Sequence, residues 1–181
     1  MKARSFLFII MSCLLVVGCT KKSEDEPTPT PSEPSYTKIT EDMLKSYFPY
    51  AVDDQIVFRN EILSVEDNIY TVKECTFTNK AGKMNLAISM NGKQILNEKD
   101  QFIMEWNAEV TDNKILKIDF VQYLIVQPSN KTIGTYTYDA SKDGELPAKI
   151  TLSNGAIIQQ DKGLTYYEDY DSGKWYFLKR K

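Results

Sequence analysis

The stretch that decides the fold is Phe102-Ile103-Met104-Glu105-Trp106-Asn107-Ala108-Glu109-Val110. Every second residue, starting at Phe102, is apolar, and three of the four residues between them are polar. A repeat of two residues places side chains alternately on the two faces of a β-strand. The sequence therefore predicts a strand with one buried face and one solvent-facing face.

The next stretch, residues 114–126, continues this alternation after Asp112-Asn113, a pair that suits a two-residue turn. Beyond Gln122 both faces become apolar, which predicts double burial or a β-bulge. A strand of about thirteen residues is long, and long bent strands suit a barrel or a strongly coiled sandwich better than a small flat sheet.

Similar patterns extend over most of the chain from Gln55 onward, and we expect nine or ten strands from eleven candidate stretches. These are residues 55–59, 69–78, 84–90, 93–96, 101–111, 114–126, 132–138, 147–152, 156–161, 164–169 and 174–179. Asn91-Gly92, Asp143-Gly144 and Asn154-Gly155 predict hairpin turns. Strands do not alternate with helices, so a parallel sheet is not expected. The predicted fold class is all-β, a single antiparallel β-barrel (calycin-like favoured) or a β-sandwich.

A short helix is predicted before the first strand. Thr40 can cap the first turn, and Ile39 can pack on Leu44 across it. Pro49 disfavours helical geometry at Phe48, so the helix should end there.

Residues 1–18 have the features of a targeting segment. Lys2 and Arg4 precede an apolar run of about twelve residues, too short to cross a bilayer as a helix. The run ends in Val16-Val17-Gly18-Cys19, which resembles the lipobox of bacterial lipoproteins. That resemblance implies cleavage before Cys19, acylation of its thiol, and attachment to a membrane by lipid.

Residues 19–36 are predicted to form a tether, and residues 37–181 a globular domain. Four prolines and many charged residues keep the tether extended over roughly 50 Å. Its acidic cluster, Glu24-Asp25-Glu26, resembles the surface-export signal of Bacteroidota lipoproteins. The chain thus resembles small uncharacterised lipoproteins of that phylum, which implies an outer-membrane location, with the domain facing the cell exterior.

Composition excludes several classes of function. The chain contains no histidine, which rules out Ser–His–Asp and Cys–His catalysis and imidazole-based zinc sites. Without Lys2 and Arg4 the net charge changes from −3 to −5, which disfavours nucleic acid as a partner. Of the three cysteines, Cys13 lies in the apolar run and Cys19 would carry the lipid. The third, Cys75, is expected to be a buried small apolar side chain.

The densest cluster of aromatic residues lies near the carboxyl terminus, in a predicted hairpin. Tyr166, Tyr167, Tyr170 and Trp175 are the candidate ligand-binding residues, because exposed rings stack on sugars while nearby carboxylates accept hydroxyl hydrogen bonds. The alternative is cross-strand aromatic pairing with rings of one face in the core.

Two other kinds of site, a calcium loop in this hairpin and a glycosidase pair elsewhere in the chain, are less well supported by the sequence. Asp169, Asp171 and Gly173 have a D-x-D-x-G spacing that could begin a calcium loop, but further acidic ligands are missing. Glu105 and Glu109 share a strand face about 13 Å apart, too far for a glycosidase pair. We therefore expect no catalytic residues, no metal and no cofactor.

The function expected from the sequence is a surface-anchored, non-catalytic β-domain that binds a small ligand, a glycan or a peptide. One alternative is a structural component of an outer-membrane complex that acts through a protein interface. The other alternative is a carboxylate-dependent glycosidase.

Overall fold

A computed structural model describes residues 36–61, 67–94, 99–169 and 173–181. The predicted signal peptide, Cys19 and nearly all of the tether lie outside the described residues. The described residues belong to one compact unit, Pro34–Lys181. Neither helix within them has the length and apolar character needed to cross a bilayer.

The described part of the chain forms ten strands and two short helices. In chain order these are α1 (Glu41–Tyr47), β1 (Gln55–Asn60), β2 (Asp67–Lys80), β3 (Lys83–Gln94), β4 (Phe102–Thr111), β5 (Ile115–Leu124), β6 (Gln127–Asp139), α2 (Ala140–Asp143), β7 (Lys149–Thr151), β8 (Ile157–Gln159), β9 (Gly163–Asp169) and β10 (Gly173–Arg180).

All ten strands belong to one antiparallel sheet in the order β6-β5-β4-β3-β2-β1-β10-β9-β8-β7. The two edge strands, β6 and β7, approach each other. Ser153, just after β7, forms two hydrogen bonds with Thr135 of β6. Its N–H donates to the Thr135 carbonyl over 2.9 Å, and its Oγ accepts from the Thr135 N–H over 2.9 Å. The sheet is therefore a nearly closed barrel, which confirms the predicted all-β antiparallel class.

The alternation that predicted the barrel wall is present in the structure. Residues of β4 point alternately inward and outward, and the inward ones are buried: Phe102, Met104, Trp106, Ala108 and Val110. The pattern continues along β5, where the register shifts between Tyr123 and Leu124. This shift lies where the sequence predicted double burial or a β-bulge, and double burial is wrong, because Ile125 and Val126 are exposed in the turn that follows.

Helix α1 covers one end of the barrel, which we call the helix end. Thr40 caps it by accepting a hydrogen bond from the Met43 N–H over 3.2 Å, as its sequence predicted. Leu44 and Tyr47 are the buried residues of this helix. The Asp161 N–H of the β8–β9 turn donates to the Ser46 carbonyl over 2.7 Å, which ties the helix to the barrel.

The β4–β5 turn lies at the same end, because the Ile39 N–H donates to the Asn113 carbonyl over 2.8 Å. Asp112 and Asn113 both have positive φ, 54° and 52°, as the predicted two-residue turn requires. Since β5 starts there and runs to Leu124, the residues around Leu124 lie toward the opposite end, which we call the far end.

Two of the predicted hairpin turns are wrong. Asn91-Gly92 lies inside β3, where Gly92 pairs with Tyr70 on β2 and with Phe102 on β4. Asp143-Gly144 ends helix α2, in which Asp139 caps the first turn. The Asn154-Gly155 prediction is confirmed, since this pair lies in the turn between β7 and β8.

Candidate ligand-binding site

Two of the four aromatic residues singled out in the sequence point into the barrel. Tyr167 on β9 and Trp175 on β10 are register partners, and both side chains are fully buried. Their rings are stacked, with centroids 6.2 Å apart and an interplanar angle of 9°. This is the cross-strand pairing that the alternative interpretation of the hairpin predicted.

A third member, Tyr166, lies on the outer face of the same hairpin. Its register partner is Tyr176, and the two ring centroids are 5.0 Å apart. The Tyr166 hydroxyl donates to the Glu168 carboxylate, and partial burial together with this carboxylate raises the pKa of Tyr166. Tyr170, the fourth member, lies outside the described residues. The described members are thus divided between the interior and the outer face.

The hydroxyl of Tyr167 lies close to that of a second tyrosine in the barrel interior. Tyr70 comes from β2, and its hydroxyl lies 3.1 Å from that of Tyr167. The Gln122 side chain, on β5, donates its Nε2–H to the Tyr70 hydroxyl over 2.8 Å. Asn68, on β2, donates its Nδ2–H to the Tyr167 hydroxyl over 3.3 Å. These four side chains form the candidate site, which we call the interior polar cluster.

The interior polar cluster depends on Gly92, the glycine of the Asn91-Gly92 pair that predicts a turn. A Cβ atom at Gly92 would lie 2.6 Å from Cδ1 of Tyr70, so the ring occupies the space that a side chain would fill. Because the ring passes over β3 in this way, the Tyr70 hydroxyl reaches Gln122, three strands away in the sheet.

Two acceptor atoms of the cluster are left without a hydrogen bond. Among the described residues, Oδ1 of Asn68 and Oε1 of Gln122 are buried and have no partner. The side chains themselves are 0 % and 3 % exposed. An unpaired buried acceptor costs roughly 1–3 kcal/mol, so two of them in one cluster call for an explanation.

Aromatic rings line this part of the interior. Phe58 packs edge-on against both tyrosines, 5.8 Å from Tyr70 and 5.0 Å from Tyr167 between centroids. Phe102 lies 6.2 Å from Tyr70. The buried polar side chains of the described residues are Asn60, Asn68 and Gln122, none of which carries a charge. The site combines neutral hydrogen-bonding groups with apolar walls.

The acidic side chains of β4 and β5 lie outside the interior polar cluster. Glu105 and Asp119 are exposed on the outer face, and Glu109 forms an ion pair with Lys83 over 2.9 Å. The described residues contain no group of three potential metal ligands. Cys75 is half-buried in β2, and burial raises the pKa of its thiol, which makes the thiolate less available.

The sequence analysis did not select Asn68 or Gln122. A signal for both exists, because each continues an inward-facing series of a strand. Gln122 follows Leu116, Ile118 and Phe120 at intervals of two residues, and Asn68 precedes Tyr70 and Val72 in the same way. A polar residue at a position that the repeat assigns to the core is the informative exception.

Comparisons with known proteins bring no functional information to this site. No family model matches the chain, and no curated protein or solved structure matches it significantly.

Proposed function

We propose that this chain is a lipid-anchored, non-catalytic binding protein of the outer membrane, facing the cell exterior, that holds a small ligand inside its barrel. The observation that carries the proposal is the pair of buried acceptors without partners, Oδ1 of Asn68 and Oε1 of Gln122. A ligand that donates hydrogen bonds to both atoms would remove the cost of leaving them unpaired.

Contacts at the two ends of the barrel support a ligand position toward the far end. Helix α1 covers the helix end with buried apolar side chains, among them Leu44 and Tyr47. Tyr70 lies in one register row with Gly92, Phe102 and Leu124, the last residue of β5, so the interior polar cluster belongs to the far half of the barrel. The ring of Tyr36, the first described residue, lies 5.9 Å from Nζ of Lys114 at the helix end.

A non-catalytic role is part of the proposal for a chemical reason. Glu105 and Glu109 both lie on the outer face of β4, and Glu109 forms an ion pair with Lys83. Catalysis of glycoside hydrolysis requires two acids facing each other across a bound sugar. The interior polar cluster offers amides and phenols instead, which hold a ligand but are poor acids and bases near neutral pH.

Native mass spectrometry of the full chain tests ligand binding. The protein is extracted from cells under mild conditions and also mixed with pooled glycans, fatty acids and calcium. We expect a retained or added mass that disappears in the Gln122→Met variant and remains in the outer-face control Tyr176→Phe. The same apo mass in every mixture would contradict the proposal.

Cell fractionation tests the anchor separately. Cys19→Ser should move the protein from the membrane fraction to the soluble fraction, because no acyl chain can then be attached. External protease should degrade the wild-type domain on intact cells if it faces the exterior. Unchanged membrane association of Cys19→Ser would contradict lipid anchoring, and protection from protease would contradict surface exposure.

A second candidate function, a structural component of an outer-membrane complex, is favoured by exposed apolar side chains in the β5–β6 turn and on β6. Val126 is 83 % exposed and Ile125 is 43 % exposed in the β5–β6 turn. Ile133, 58 % exposed on β6, pairs with Val121 of β5. Cross-linking on intact cells should then capture an outer-membrane protein, and Val126→Asp with Ile133→Asp should abolish the cross-link, whereas the exposed control Thr137→Asp should not.

A further inference from the structure

The chemistry of the interior polar cluster defines the class of ligand that it would accept. This inference rests on the proposed function, since it concerns the same site. We infer that the ligand is an uncharged molecule with at least two hydroxyl or comparable donor groups on an apolar skeleton. One donor binds Oδ1 of Asn68, and the other binds Oε1 of Gln122.

The donor requirement follows from the hydrogen bonds already present. Asn68 and Gln122 both use their NH₂ groups toward tyrosine hydroxyls, over 3.3 Å and 2.8 Å. Each NH₂ group keeps a second N–H, but the atom of each amide that has no hydrogen-bond partner at all is its carbonyl oxygen, which only accepts. A ligand that offers ether or ester oxygens alone cannot satisfy these atoms, because it would place acceptor against acceptor.

The absence of charge follows from the surroundings. No charged side chain is buried among the described residues, and the walls of the site are the rings of Phe58, Phe102 and Trp175. A carboxylate or ammonium group transferred here from water would lose its hydration without gaining a counter-charge, which is far more costly than transferring a hydroxyl group. Fatty acids and cationic lipids are therefore disfavoured relative to alcohols and sugars.

The spacing of the two amide groups that carry the acceptors limits the ligand's size. Consecutive contacts of 3.3, 3.1 and 2.8 Å join the Asn68 amide to the Gln122 amide through the two hydroxyls, so the amide nitrogens lie at most about 9 Å apart. Two donors separated by a short carbon chain or by one sugar ring match this range. The rings beside the cluster suit the apolar part of such a molecule.

Three probes with one carbon skeleton separate donor count from charge. 1,6-Hexanediol is neutral and donates, 1,6-dimethoxyhexane is neutral and only accepts, and 1,6-diaminohexane donates but is charged near neutral pH. Each is titrated into the full chain held in lipid nanodiscs. The side-chain NH₂ resonances of Asn68 and Gln122 in nitrogen-15 NMR spectra report on binding at the cluster.

We expect the diol to shift both side-chain resonances and to bind about tenfold or more tightly than either other probe, since tenfold corresponds to about 1.4 kcal/mol, the contribution of a typical hydrogen bond. In Gln122→Met, whose apolar side chain has a similar length, the advantage of the diol over the ether should fall. The outer-face variant Tyr176→Phe should retain it.

The two levels of the hypothesis fail in different ways. Equal or tighter binding of the ether or the diamine at the cluster would overturn the ligand class while leaving an interior binding site in place. If none of the probes shifts either amide at any concentration, the ligand class and the proposed interior binding function are both overturned.

Discussion

The ring of Tyr70 lies over Gly92, its register partner on the neighbouring strand, in the space where any other residue would carry a Cβ atom. We therefore expect Gly92→Ala to lower the free energy of unfolding by about 1–3 kcal/mol, because the added methyl group overpacks the interior. Its backbone φ is not positive, so the loss would come from the contact and not from backbone strain. Urea unfolding measures the change.

Two comparisons isolate this contact. Ser89→Ala, on the outer face of the same strand, should change stability by less than about 0.5 kcal/mol. In a Tyr70→Ala background, Gly92→Ala should cost much less than in the wild type, since the ring is gone. If Gly92→Ala lowered the free energy of unfolding equally in both backgrounds, the ring of Tyr70 would not be the reason that position 92 requires glycine.

The unpaired acceptor of Gln122 gives opposite expectations for two conservative substitutions. Gln122→Met removes a buried acceptor along with one hydrogen bond, so we expect stability within about 1 kcal/mol of the wild type or higher. Tyr70→Phe leaves the Gln122 NH₂ group without its acceptor and should cost about 1–3 kcal/mol. Thermal unfolding of the two variants decides, and a greater loss for Gln122→Met than for Tyr70→Phe would contradict the described hydrogen bonding.

Sequence patterns predicted the wall of this barrel well because the wall obeys local rules. Alternation identified β4, Thr40 identified the start of α1, and Asp112-Asn113 identified a turn whose positive φ values suit these residue types. Asn91-Gly92 obeys the same local rule and still misled, because its glycine is required by Tyr70, a residue far away in sequence.

The candidate site was less predictable than the wall, for a related reason. An aromatic-rich hairpin is conspicuous in a sequence, and it contributed Tyr167 and Trp175 to the interior. Asn68 and Gln122 are single polar residues in separate strands, and neither looks unusual without its register. Asn68 and Gln122 become part of one hydrogen-bonded cluster only when the folded barrel places β2, β5 and β9 around the same interior.

Closure of the barrel between β6 and β7 depends on Ser153. Ser153→Ala removes the Oγ atom that accepts from the Thr135 N–H, so we expect faster amide hydrogen exchange at Thr135 and a stability loss of about 1 kcal/mol. Thr137→Ala, an exposed position on the same strand, serves as the matched control. Unchanged protection at Thr135 would show that the serine hydroxyl does not hold the two edges together.

Alkaline pH should destabilise the helix end through Tyr47. Its hydroxyl donates to the Pro147 carbonyl over 2.6 Å, and burial raises the pKa of Tyr47 from 10.0 to about 12. Between these two values the unfolded chain releases the phenol proton while the folded chain keeps it. The stabilisation is therefore fully present below pH 10 and is lost as the pH rises toward 12.

The urea midpoint measured at pH 8, 9.5 and 11 checks this expectation, with Tyr47→Phe as the comparison. The variant should be less stable at pH 8, since the Pro147 carbonyl loses its donor, but its stability should fall less between pH 9.5 and 11 because it has no phenol at this position to ionise. Tyr50 and Tyr166, whose pKa values burial also raises, remain in both proteins and contribute equally. Parallel losses in the two proteins would show that Tyr47 is not the group responsible.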